Sequence, residues 1–207
     1  MATGGSSSLI LAKSLALLEK TKRRVGQIDG AEFPTPSSEL ARKILEEALS
    51  ALAEKISWSV MDPEVLYSCC ISIQAFVEQL EASNSAHISW PLVSCCDEIW
   101  KKFFPNDDAQ VFYSVTTDYN YAISRFSSRL QRLFESVLTD AQIKKIVGGK
   151  NLYCLQLASL EDANLPLYAN IGHEFGHAFL ASSGMFRQFF IERDKGPIHP
   201  DGRRCPT

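Results

Sequence analysis

Five consecutive residues near the C-terminal end carry the densest chemistry in the chain: His173-Glu174-Phe175-Gly176-His177. Histidines four residues apart fall on one face of an α-helix, with Cβ atoms about 5–6 Å apart. Neutral imidazole nitrogens at that spacing can share one metal ion. Zinc suits them, because it takes nitrogen ligands and, in catalytic sites, keeps a position open for water. Glu174 follows the first histidine directly, so it is rotated off the ligand axis but stays beside the metal. Its carboxylate can there take a proton from zinc-bound water, whose pKa the metal lowers towards about 7. The expected chemistry is hydrolysis, with His173 and His177 as ligands, Glu174 as base and one zinc ion as cofactor.

Three fixed positions in five also describe two ordinary helix histidines, so the flanks matter. Ile171, Gly172, Phe175, Gly176, Ala178 and Phe179 are all uncharged. A charge beside a half-buried metal would cost desolvation. Gly176 is a poor helix residue, costing about 1 kcal/mol against alanine. A small residue there either admits a backbone or substrate or relieves packing. The segment from Asn170 to Phe179 resembles the active helix of the zincin metallopeptidases. That resemblance covers about ten of the 207 residues. It implies a helical and small-sheet catalytic domain and peptide hydrolysis by zinc-activated water. By it, His173 and His177 map to the histidine ligands and Glu174 to the catalytic base.

The third ligand is not in the motif. The metzincin branch continues H-E-x-x-H-x-x-G-x-x-H, but those last two positions hold Leu180 and Ser183. A gluzincin-like arrangement uses a downstream Glu on a second helix, and the one downstream glutamate is Glu192. From His177 to Gly184 is about 10 Å of helix at 1.5 Å per residue. A reversal at Gly184 and a helix from Met185 would return Glu192 about the same distance. The spacing is short for gluzincins, so His199 and Asp201 are loop alternatives. The chain ends on Arg-Cys-Pro-Thr without a closing element, which leaves a truncated chain and a ligand beyond Thr207 as a further expectation. Tyr113, Tyr119, Tyr121 and Tyr153 are candidate oxyanion donors, and the sequence selects none of them. Asp162 can cap the motif helix or orient a ligand histidine.

Elements must position this cluster, and their pattern is mostly helical. Residues 1–8 read as a disordered lead, and a helix is expected from Leu9 to Val25. After the proline-containing stretch 30–38, Leu40, Ile44, Leu45, Leu49, Leu52 and Ile56 form one apolar helical stripe. Asp62-Pro63-Glu64 is a helix start, with Asp as cap and Pro at the first position, and that helix runs to about Ala82. Pro91 to Phe104 predicts another. Val111–Val115 reads as a short strand, and Leu152–Leu157 as the clearest strand. Tyr119–Leu138 has a helical period, and Thr139-Asp140 caps a short helix ending at Gly148-Gly149. The motif helix is expected over Leu165–Ser183, with a further short one over Met185–Glu192. The expected fold is mainly α (α+β). A helical lobe over 9–110 precedes a zincin-like catalytic region over 111–207, with a small sheet beside the motif helix. A substrate peptide can add to such a sheet edge as a strand.

Composition sets the outer limits. Net charge is -3 and the pI about 5.8, without the basic face that nucleic-acid binding needs. The cluster Lys20–Arg24 reads as a solvated helix face. No stretch approaches the roughly 20 apolar residues of a membrane span. Leu9–Leu18 is interrupted by Lys13 and lacks a cleavage site, so it is not read as a secretory signal. The six cysteines, including the vicinal pairs Cys69-Cys70 and Cys95-Cys96, read as reduced thiols of a cytosolic protein. A cytoplasmic location is expected, with mitochondrial targeting as its alternative. The partner is a protein or peptide substrate. The competing expectation is a helical interaction module whose metal site is degenerate or structural.

Overall fold

A computed structural model describes residues 4–28, 33–58, 62–105, 109–116, 121–158 and 168–183. Their elements are α1 (Gly4–Gln27), α2 (Pro36–Trp58), α3 (Pro63–Glu81), α4 (Trp90–Phe103), β1 (Gln110–Thr116), β2 (Ala122–Arg125), α5 (Phe126–Phe134), α6 (Asp140–Val147), β3 (Leu152–Ala158) and α7 (Tyr168–Ser182). The fold is mainly helical, with seven helices among the described residues and one small mixed sheet. None of these helices is long and apolar enough to cross a membrane.

Local signals act where the sequence places them. Asp62 caps α3 by accepting the Glu64 N–H at 2.9 Å, with Pro63 in the first turn. Thr139 and Gln142 form a reciprocal capping box on α6. That helix stops at Gly148, where a Cβ would lie 2.0 Å from the Lys144 carbonyl oxygen, and Gly149 follows with φ 75°. Two boundaries differ from expectation. α1 begins at Gly4, inside the stretch 1–8 read as disordered, because adding a turn to an anchored helix is far easier than nucleating one. Its anchors are Ser14, Leu18, Thr21 and Val25, all buried. The stretch from Tyr119, read as helical, instead contains β2 before α5 starts at Phe126. Four strand residues are too few to override a helical period in the sequence, whereas pairing to β3 fixes them as strand.

The sheet order is β1-β3-β2. β3 lies in the centre, parallel to β1 (Phe112 opposite Cys154) and antiparallel to β2 (Ile123 opposite Leu155). Side chains alternate across it and feed two cores. Phe112, Leu152 and Cys154 join one core with α1, α2, α3, α5 and α6. Val111, Tyr113, Tyr153, Leu155 and Leu157 join the other, with α4 and α7. Packing therefore follows the face of the sheet. α4 lies on the motif side, and α5 and α6 lie with the first three helices. Cys69 and Cys70 belong to the first core and Cys96 to the second, so the vicinal pairs do not meet. All five described cysteines are free, and only Cys95 is exposed.

Candidate metal centre

α7 is held by one face. Ile171, Phe175 and Ala178 recur at helical spacing and are buried. The Phe175 ring meets Trp100 edge-on at 5.2 Å and Phe103 at 6.3 Å. Phe179 lies 6.0 Å from both Phe103 and Phe104. The receiving surface is itself fixed. Trp100 stacks on Phe104 at 4.1 Å and donates its indole N–H to the Ala109 carbonyl at 3.1 Å. Tyr113 donates its hydroxyl to Asp97 Oδ1 at 2.6 Å, tying β1 to α4. Burial, with Asp97 as acceptor, pushes that phenol far above its ordinary range. Edge-on ring pairs of this kind add about 0.5–1.5 kcal/mol each beyond the area they bury.

The opposite face of α7 carries the polar cluster. His173 and His177 are exposed, and their Nε2 atoms lie 2.9 Å apart. One imidazole N–H donates to the bare nitrogen of the other, with ring planes 86° apart. Two nitrogens bound to one tetrahedral zinc at about 2.0–2.1 Å lie roughly 3.3 Å apart. A metal-ligand pair needs the two nitrogens roughly 0.4 Å further apart and the donor ring's proton moved to its Nδ1, so that both Nε2 lone pairs are free. Glu174 is half-buried, and a carboxylate oxygen of it lies within 4.8 Å of both histidine ligand atoms. The three residues form a group that can hold a metal ion, and two imidazole nitrogens with a carboxylate oxygen are a donor set that zinc accepts.

The carboxylate also touches the sheet. Glu174 Oε2 accepts the backbone N–H of Ile123 at 3.3 Å. β2 is an edge strand, and α7 packs against it. The other edge, β1, is capped by the end of α3, where Val115 N–H donates to the Ala82 carbonyl at 3.1 Å. Sequence reasoning missed Ile123. A backbone donor carries no residue signature, and β2 itself was hidden in a helical period.

Among the described residues no further His, Cys, Asp or Glu joins the cluster. Glu192, His199 and Asp201 lie outside the described residues, as do Asp162 and Tyr119 and the expected helix over Met185–Glu192. Of the tyrosines considered, Tyr113 is committed to Asp97, and Tyr153 is buried against Trp100 and Phe104. Neither is a free oxyanion donor, and Tyr121 is buried as well. A Cβ at Gly172 or Gly176 would meet nothing within 4 Å, so packing against the described residues does not explain Gly176. No family model, curated protein or solved structure matches this chain.

Proposed function

We propose that this chain is a zinc-dependent metallopeptidase of the H-E-x-x-H type. The observation that carries the reading is the His173–His177 nitrogen pair at 2.9 Å with the Glu174 carboxylate within 4.8 Å, on the exposed face of a helix beside a sheet edge. His173 and His177 hold the metal, with Glu192 as the third protein ligand that a catalytic zinc requires. Bound zinc supplies Lewis acidity, which makes water a nucleophile near neutral pH. Glu174 accepts the proton that the attacking water loses and returns it to the nitrogen of the leaving amine. The attacking water's second proton passes from the new carboxyl group to the released amine, so the products are a carboxylate and an ammonium group and atoms and protons balance. The substrate is a protein or peptide in extended form alongside β2. The free thiols suit the reducing cytoplasm.

Metal analysis after reconstitution at neutral pH should find up to one zinc per chain. Peptide hydrolysis should disappear with chelator and return with added zinc. His177→Ala should lose most of the metal, because two or fewer protein ligands rarely hold zinc tightly. Wild-type protein that takes up no zinc sinks the reading. A second reading, a helical interaction module with a structural or degenerate site, is favoured by the incomplete ligand set among the described residues. Stoichiometric zinc without chelator-sensitive hydrolysis would select it.

A further inference from the structure

We infer that the backbone N–H of Ile123 is a positioning group for Glu174, so that the sheet edge and the catalytic base form one hydrogen-bonded unit. The inference rests on the metallopeptidase reading for its purpose, but its geometry stands without metal. In an antiparallel pair, successive residues point their backbone groups alternately towards the partner strand and away from it. Ile123 stands opposite Leu155 in the register, and its N–H is given to Glu174 Oε2. That N–H therefore points away from β3, off the β2 edge of the described sheet. Its partner comes from a residue 51 positions away in sequence.

The carboxylate is engaged on two sides at once. Oε2 holds the strand, while a carboxylate oxygen stays within 4.8 Å of the histidine ligand atoms. A carboxylate has about four lone-pair sites, so one conformation serves both directions. A glutamate on an exposed helix face would otherwise sample several rotamers, and a base must lie within about 2.6–3.2 Å of the proton it takes. The strand N–H selects the rotamer that keeps Glu174 over the metal position. It also occupies a donor of the open edge. A peptide adding to β2 consequently finds this N–H already taken, and it must align through the neighbouring outward-facing backbone groups.

Amide hydrogen exchange, read by NMR on metal-free protein at fixed neutral pH, tests this without any turnover. The Ile123 amide should exchange slowly in wild type and at least 10-fold faster in Glu174→Ala. The amides of Ala122 and Ser124 should not change, which shows that β2 still pairs with β3. Glu174→Gln should keep part of the protection, since its carbonyl oxygen can still accept. A second variant, Ile123→Pro, removes the donor at an edge position where proline is tolerated. It should bind zinc as wild type does, yet hydrolyse peptide about 10-fold more slowly in kcat, with KM less affected. Equal Ile123 exchange in wild type and Glu174→Ala, with Ala122 and Ser124 unchanged, overturns the inference. So does Ile123→Pro with wild-type kcat. Failure of the protein to bind zinc would instead defeat the metallopeptidase reading and leave the exchange result standing.

Discussion

The two faces of the sheet are packed by different means. The face covered by α1, α2, α3, α5 and α6 is largely aliphatic, with Leu18, Ile44, Leu45, Leu49, Leu52, Leu66 and Ile73 fully enclosed. Ion pairs tie its rim. Arg24 bonds Glu81 at 2.6 and 2.9 Å between α1 and α3, and Gln74 donates to Thr21 across the same seam. Arg42, 6 % exposed, is held by Glu39 and Glu46 on its own helix, which meets the cost of burying its charge. The face covered by α4 and α7 is aromatic, built on Trp100, Phe103, Phe104, Tyr153, Phe175 and Phe179. Aliphatic burial supplies stability without direction. Aromatic packing with anchored hydroxyl and indole groups also fixes orientation. The helix that carries the His173–Glu174–His177 group lies on the oriented side, and the mass of the helical bundle lies on the other.

The largest expected effect isolates the chemistry from both cores. Glu174→Gln should lower turnover by about 10²–10⁴-fold while zinc content and thermal midpoint stay those of wild type. Unchanged turnover would show that the cluster works otherwise or not at all. Next come paired truncations on the two faces. Leu45→Ala and Phe175→Ala should each destabilise by about 2–5 kcal/mol in urea unfolding. Only Phe175→Ala should also weaken zinc binding in folded protein, because it frees the seat of α7. Equal zinc affinity in both variants would erase the functional difference between the faces.

A smaller effect comes from pH. Burial pushes the thiols of Cys69, Cys96 and Cys154 up to about 12 and that of Cys70 to about 11. Unfolded thiols ionise near about 8.5. A folded value raised above the unfolded one gives stability that is complete below about pH 8.5 and lost as pH rises towards the folded value. At pH 10 the loss is roughly 1–2 kcal/mol per thiol. Three of the four lie on the aliphatic face. Cys154→Ala should therefore reduce the alkaline loss of stability, measured as the urea midpoint at pH 8 against pH 10. The same midpoint shift in wild type and Cys154→Ala would count against it. The smallest effect is at Gly176. Alanine there meets open space, so Gly176→Ala should stabilise by about 0.5–1 kcal/mol with zinc affinity unchanged. A loss of stability in the same urea assay would mean that this space is filled in solution.

Much of this was legible in the sequence, and for physical reasons. The α2 stripe, the Asp62-Pro63 start, the Thr139 cap and the β1 and β3 strands are local signals. Each needs only a few neighbouring residues to be read. The motif helix was legible because both of its faces follow the same period, Ile171-Phe175-Ala178 buried and His173-His177 exposed. What was not legible depends on partners distant in the chain. β2 is strand because β3 pairs with it, and Ile123 touches the site through its backbone. The grouping of α4 with α7 follows from aromatic contacts that no spacing announces. The start of α1 was missed because glycine and serine argue against a helix locally, while the anchored turns beyond them argue for it.

The cap on β1 has a consequence for self-association. Sheets polymerise into fibres when each molecule offers two open edges, one to accept a neighbour and one to pass the pattern on. Here the Ala82 carbonyl already occupies the Val115 N–H on one side, and α2 and α3 lie against the same strand. Among the described residues, β2 keeps outward-facing backbone groups besides the Ile123 N–H that Glu174 holds, so a strand can still add on that side. A molecule open on one side can meet a second copy edge to edge, by two-fold symmetry, and the growth then stops at a pair. The carbonyl at the end of α3 thus acts as a chain terminator.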